Sequence, residues 1–235
     1  MLFRSTLFPG TPAFPGRALR GRAVGQGRMM PIERKAKLAV GGFVPFTTVD
    51  YPGKLSAVVF CQGCPWRCGY CQNTHLQPFT AGELSWRGIL SQLEERQDFL
   101  DAIVFSGGEP TAQTALPDAM AEVKELGFLV GLHTAGMYPD RLTTILPLVD
   151  WVGFDVKAPF DRSYDALTQH EDVWLAVLES LFLLISSQTE YQIRTTLDRT
   201  HLDEFACAEL ERQLHSLGAN PTHWQTCRPV GQGTS

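Results

Sequence analysis

The chain has 235 residues, 44% hydrophobic and 19% charged, with 20 Lys and Arg against 25 Asp and Glu for a formal net charge of -5. Such a composition suits one sizeable globular domain with enough apolar material for a core, although length alone would allow two small ones. No apolar run reaches the roughly 18 residues needed to span a bilayer, and an acidic balance without a basic, aromatic-interleaved patch gives no reason to expect a nucleic acid or membrane partner.

Residues 1–28 stand apart, because they carry Arg4, Arg17, Arg20, Arg22 and Arg28, no acid, and several Pro and Gly. Neither helical nor strand periodicity is present, so mobility is expected. The compact apolar core of a secretory signal and the Ser enrichment of a transit peptide are both missing. The segment therefore reads as a non-essential extension, or as upstream sequence before a start at Met29 or Met30. The expected division is a basic extension over 1–37 and a core domain over 38–235, in a cytoplasmic protein.

From residue 38 the pattern becomes that of an ordered domain. A short strand is predicted over 39–46, followed by the turn-rich Thr47-Thr48-Val49-Asp50-Tyr51-Pro52-Gly53. Residues 55–60 form a continuous apolar run ended by Cys61, which suits a strand buried on both faces. Ser85 is placed to cap a helix whose Trp86, Ile89, Leu90 and Leu93 share one face. Strands are then predicted at 101–105, 128–132, 151–156, 191–197 and 222–226, with helices at 117–126, 141–148, 172–185 and 203–217.

Strand and helix alternate throughout, implying six units of parallel strands joined by right-handed helical crossovers. Polar and Gly-containing signals collect just after the strands, the edge at which parallel α/β folds build their sites. Periodicity leaves two layouts open, a doubly wound sheet or a barrel of fewer than eight units.

Four of the six cysteines, Cys61, Cys64, Cys68 and Cys71, fall within one loop after the second strand, spaced C-x2-C-x3-C-x2-C. Closely packed thiolates oxidise, cross-link or capture metal, so the spacing points to a ligand. A disulfide pair fits poorly in a chain of this size with no mark of secretion. Zinc knuckles usually lie about 15 to 20 residues apart, whereas only three residues separate these pairs, and a single loop can wrap an iron–sulfur cluster. The spacing favours iron–sulfur over zinc.

Cys64, Cys68 and Cys71, with aromatic Tyr70 before the last, resemble the signature of the radical S-adenosylmethionine (SAM) superfamily. The resemblance implies a partial TIM-like (β/α)6 barrel with outer helices, and a [4Fe-4S] cluster held by those three cysteines with one iron open to chelate SAM. It further implies reductive cleavage of SAM to methionine and a 5'-deoxyadenosyl radical. Cys61 is then surplus and reads as the buried last residue of its strand, since free Cys behaves as a small hydrophobe. Cys207 and Cys227 are solitary and read as structural.

The same resemblance extends to the strand ends. Ser106-Gly107-Gly108-Glu109-Pro110 is similar to the family's GGEP motif at the methionine end of SAM, where glycines allow close approach and the Glu109 carboxylate and main-chain carbonyls can receive an ammonium. His133-Thr134-Ala135-Gly136 stands where relatives carry Asp-Thr-Asn/Ser-Gly, so Thr134 is a candidate contact and His133 replaces an acid. Asp155-Val156-Lys157 resembles the Asp-x-Lys element, with Asp155 accepting from ribose or ammonium and Lys157 neutralising the SAM carboxylate. Arg194 is a charge inside a strand pattern and reads as a carboxylate contact. His75 and His133 are polar neighbours with no acid–base role assigned.

Within the superfamily, Thr48-Val49-Asp50-Tyr51-Pro52-Gly53-Lys54, Gln62-Gly63-Cys64 and Tyr70-Cys71-Gln72-Asn73 resemble activating proteins of anaerobic ribonucleoside-triphosphate reductases. This implies removal of a hydrogen from a backbone glycine of a partner glycyl radical enzyme, with the electron supplied by a low-potential reductant such as flavodoxin or ferredoxin. Two other readings stand beside this one, the first of them sharing every motif above. One is a radical SAM enzyme acting on a small molecule in cofactor or modified-base synthesis; the other is a ferredoxin-like electron carrier with all four clustered cysteines bound.

Overall fold

A computed structural model describes residues 36–227. The basic extension expected over 1–37 falls almost wholly outside them. Seven strands form one sheet: β1 (Val40–Thr47), β2 (Ser56–Cys61), β3 (Ala102–Gly107), β4 (Leu129–Thr134), β5 (Trp151–Asp155), β6 (Glu190–Leu197) and β7 (His223–Thr226). Their spatial order follows their sequence order from β1 to β7. From β2 onward every pairing is parallel.

That order decides between the two layouts left open by periodicity. A doubly wound sheet reverses its strand order at a switch point, and here no reversal occurs. Each crossover steps the same way, so the sheet curls into a partial barrel with the helices α1 (Trp86–Glu94), α2 (Leu116–Glu125), α3 (Pro139–Ile145), α4 (Arg162–Thr168), α5 (Val173–Ser186) and α6 (Glu204–Ser216) outside. Among the described residues, β1 and β7 are not paired, which leaves a seam.

β1 pairs antiparallel with β2. The connection 48–55 is too short for a parallel crossover of a dozen or more residues, so only a hairpin-like return is possible. Within it Tyr51 turns inward and packs on Trp151, ring centres 5.1 Å apart, closing the floor of the barrel. Val58, Ala102 and Val104 complete that small inner cluster. The opposite sheet face carries the main core, in which Val59, Ile103, Phe105, Val130, Leu132, Val152, Phe154 and Ile193 meet the helices.

The remaining elements lie close to their predicted positions. Ser85 caps α1 by accepting from the Gly88 N–H at 3.4 Å. Helix α4 has no counterpart among the predicted elements. Asp161 starts it by accepting from the Ser163 N–H. Among the described residues no helix is long and apolar enough to cross a membrane.

Candidate active site

The cysteine loop and the loop after β3 are fitted to each other backbone against backbone. Gly107 has φ +117°, and a Cβ there would strike the main chain of Cys61; one at Gly108 would strike the Gly63 carbonyl. Only glycine permits this approach. The Gly108 N–H donates to the Cys61 carbonyl and the Glu109 N–H to the Gly63 carbonyl, both at 2.9 Å.

The cysteine loop is also held from outside. The Gly63 and Cys64 N–H groups donate to the carbonyls of Leu76 and Gln77 at 2.7 and 3.0 Å, and the Arg67 N–H donates to the Thr168 carbonyl at 2.9 Å. Arg67 turns its guanidinium back onto the Cys64 and Trp66 carbonyls. Trp66 is buried edge-on against Tyr164 of α4, so the unpredicted helix anchors the loop through both this side chain and the carbonyl of its last residue, Thr168.

Cys64, Cys68 and Cys71 open onto one cavity of about 660 Å³ at the C-terminal ends of the strands. Tyr70, Gly107, Gly108, Glu109, Thr134, Asp155 and Lys157 line the same cavity. Ten predicted site residues are thus brought together. Cys61 is absent from this lining, is fully buried in the helix-facing core, and burial pushes its thiol far up.

Burial also raises the Cys64 thiol to about 12, against a partial lowering by a backbone hydrogen bond at Trp66, and raises Cys68 against the pull of Lys157. Such thiols are protonated until a metal displaces the protons. Among the described residues no three Cys, His, Asp or Glu side chains converge where a single ion would sit. Three thiols of one loop facing a wide cavity fit a multi-iron cluster better than a lone tetrahedral ion.

Glu109 is fully buried and its carboxylate is held by the protein. Oε1 accepts from the Thr111 N–H, the Thr111 hydroxyl at 2.5 Å and the Thr134 hydroxyl at 2.6 Å, while Oε2 accepts from the Ala135 N–H at 3.0 Å. Burial raises its pKa and these donors pull it back. Oε1 is thus filled, while Oε2, with one donor, keeps a lone pair beside the main-chain carbonyls of this loop for the expected contact to an ammonium.

Lys157 is different. Its ammonium stands 5.8 Å from the centre of the Tyr70 ring, and among the described residues it makes no hydrogen bond or ion pair. Burial alone would lower its pKa, but Tyr70, Asp155 and Cys68 raise it well above the usual lysine value. The result is a permanent cation aimed at the cavity. The hydroxyl of Tyr70 is buried and has no hydrogen-bond partner among the described residues, and burial lifts its pKa to about 12.

Arg194 does not line the cavity. Its guanidinium takes Asp155 Oδ1 at 2.8 Å and reaches the Gly153 carbonyl. A side chain at Gly153 would collide with it, at 2.8 Å from Cζ. Burial would raise the Asp155 pKa, but Arg194 and then Lys157 outweigh it and keep the carboxylate ionised. His133 is nine-tenths buried, with Nε2 2.8 Å from the Asp50 carbonyl and Nδ1 3.2 Å from the Ser106 hydroxyl. The Asp50 carbonyl calls for a proton on Nε2, and burial keeps the ring neutral, so that Nδ1 is left to accept from the Ser106 hydroxyl.

One wall was not foreseen. Thr196, Gln225, Thr226 and Cys227 also line the cavity, so Cys227 is part of the site and not merely structural. The available signal was strand parity: Ile193 and Thr195 are buried toward the helices, and Trp224 donates to Glu211 of α6. Alternation then turns Thr196, Gln225 and Cys227 inward. Cys207, by contrast, sits on α6 at the margin of the core.

The radical SAM superfamily model matches residues 58–203. The chain belongs to the radical SAM superfamily. This radical SAM enzyme is 34% identical over 177 residues to a Methanocaldococcus jannaschii protein named as a glycyl-radical enzyme activating enzyme, covering 72% of each. It is 30% identical over 130 residues to 7-carboxy-7-deazaguanine synthase of Methanopyrus kandleri, covering 46% of this chain and 52% of that one. The fold is shared with Streptococcus suis SuiB bound to S-adenosylmethionine, at TM-score 0.59 and 12% identity, over 73% of this chain and 40% of that one. Radical SAM enzymes use a [4Fe-4S] cluster and S-adenosylmethionine, and the three-thiol loop and unpaired cation fit both.

Proposed function

We propose that this radical SAM enzyme is an activase that removes a hydrogen atom from a backbone glycine of a partner glycyl radical enzyme. The observation that carries the reading is the likeness to the M. jannaschii relative over nearly three quarters of both chains. The lead-in and loop-entry residues support it through the work they do here: Tyr51 closes the barrel floor, and Gln62 ties the cysteine loop to the carbonyls of His75 and Pro78.

In this reading Cys64, Cys68 and Cys71 hold the cluster. Lys157 neutralises the SAM carboxylate, and the main-chain carbonyls around Gly107 and Gly108 accept from its ammonium. Thr134 and Glu109 keep that loop in place. Asp155, fixed by Arg194 on one oxygen, keeps Oδ2 for a ribose hydroxyl. When bound, the reduced cluster and SAM supply the deoxyadenosyl radical that abstracts the hydrogen. The partner we assign is an anaerobic ribonucleoside-triphosphate reductase, with flavodoxin or ferredoxin as electron donor.

Electron paramagnetic resonance of the reduced, cluster-loaded enzyme mixed with such a reductase and SAM tests this directly. A glycyl doublet that loses its splitting when the reductase is made with glycine deuterated at Cα is expected. SAM turnover without any doublet contradicts activation. A second reading, action on a small heterocycle, is favoured by the deazaguanine synthase likeness and predicts consumption of a soluble substrate.

A further inference from the structure

The cysteine loop follows β2 and Lys157 follows β5, and one buried side chain joins the two from outside the cavity. Tyr164 of α4 is fully buried and does not line the cavity. Its ring meets Trp66 of the cysteine loop edge-on, centres 6.0 Å apart, and stacks on Phe160 at 6.4 Å. Its hydroxyl oxygen accepts from the main-chain N–H of Lys157 at 3.2 Å.

The tyrosine is itself held firmly. Its N–H donates to the carbonyl of the capping Asp161 at 3.1 Å, and its carbonyl accepts from the Thr168 hydroxyl at 2.9 Å. The Thr168 carbonyl in turn takes the Arg67 N–H, so α4 grips the cysteine loop at both Trp66 and Arg67. Burial keeps the phenol protonated, against the pull of Lys157, and its oxygen remains a neutral acceptor.

A phenylalanine would fill this place against Trp66 and Phe160 equally well, so neither ring contact accounts for the hydroxyl. What the hydroxyl does is fix the backbone of the residue whose ammonium is the cavity's permanent cation. A lysine stem is long and flexible, and this ammonium has only the Tyr70 ring beside it. Its aim therefore depends on the main chain from which it springs.

Resting on the reading of Lys157 as the partner of the SAM carboxylate, we propose that Tyr164 is a positioning residue that ties this cation to the cysteine loop. Its ring supports the loop that holds the cluster, and its hydroxyl fixes the main chain at Lys157. A carboxylate that must meet both the cluster and Lys157 needs the two at a constant separation. If they moved independently, one contact would be made at the expense of the other.

Tyr164→Phe isolates the hydroxyl. In the full-length, cluster-loaded enzyme, calorimetry gives dissociation constants for SAM and for decarboxylated SAM, which lacks the group that Lys157 would meet. The substitution is expected to weaken SAM about three- to tenfold, the worth of one hydrogen bond, and to leave decarboxylated SAM and iron content unchanged. In a Lys157→Met background it should cost nothing further, because its effect passes through the cation. Tyr164→Leu also removes the ring, and should lose cluster iron to a chelator about tenfold faster than the parent, while Tyr164→Phe matches the parent rate. A tyrosine that only supports the fold would weaken both ligands alike, or weaken SAM by the same factor with and without Lys157; either result overturns the proposal. If Lys157→Met weakens SAM and Tyr164→Phe does not, the positioning assignment fails alone; if Lys157→Met leaves SAM affinity unchanged, the reading of Lys157 fails and the proposal with it.

Discussion

The Thr134 hydroxyl donates to the Glu109 carboxylate at 2.6 Å, joining the loop after β3 to the end of β4 across 25 residues of sequence. With Thr111 and Ala135 supplying the other donors, a buried anion becomes the rivet of the cavity wall. Glu109→Gln keeps the shape but turns an amide N–H toward the main-chain N–H of Thr111 or of Ala135, each of which can only donate. A loss of about 2 to 4 kcal/mol is expected for such a buried mismatch, read as a lower urea midpoint. An unchanged midpoint would show that the carboxylate is not riveting the loops.

His133 gives stability a pH dependence with a definite sign. Burial first, then the Arg194 charge, lowers its pKa from 6.5 to about 4, against the Asp155 charge and the Asp50 carbonyl. The native ring is neutral where the unfolded ring would take up a proton, so its contribution is complete above pH 6.5 and is lost as pH falls toward 4. Linkage puts the loss at roughly 3 kcal/mol. Urea unfolding at several pH values should show this slope, and His133→Gln should flatten it between pH 6.5 and 4.

Gly153 makes room for the Arg194 guanidinium, so Gly153→Ala should push that group off Asp155 and strain a packed interior. A cost of about 1 to 3 kcal/mol is expected, seen as a lower melting temperature. A melting temperature equal to that of the parent would mean that the guanidinium finds another seat without loss.

Lys157 should matter for ligand and not for fold. Lys157→Met keeps the stem over the Tyr70 ring and removes the charge. SAM affinity measured by calorimetry should fall about 10- to 100-fold, the worth of one charge-assisted contact, while iron content stays constant. Equal affinity would place the SAM carboxylate elsewhere.

Much of this was legible before the structure. Strands buried on both faces announce themselves as runs such as Val58-Val59-Phe60, and Ser85 marks a helix start by its chemistry. The Gly107-Gly108 pair and the cysteine spacing mark a site because few other roles need such residues together. What stayed hidden is long-range. Arg194 and Asp155 are 39 residues apart, and only the register of β5 on β6 makes them neighbours. Glu109 carries no sign in the sequence of how many donors surround it. Strand β7 is only four residues long, too short to show alternation unaided, so Gln225, and Cys227 just past its end, stayed hidden.

The central claim is that three thiols, and not four, hold the cluster and so leave an iron open to SAM. Cys61 ends β2 with its side chain in the core, while Cys64 opens onto the cavity. The most direct test is iron and sulfide content together with dithionite-driven methionine release in Cys61→Ala and Cys64→Ala after anaerobic reconstitution. Cys61→Ala is expected to keep both the cluster and SAM cleavage, and Cys64→Ala to lose both. Loss of the cluster in Cys61→Ala, with no SAM cleavage by the parent chain, would contradict the account and describe an electron carrier.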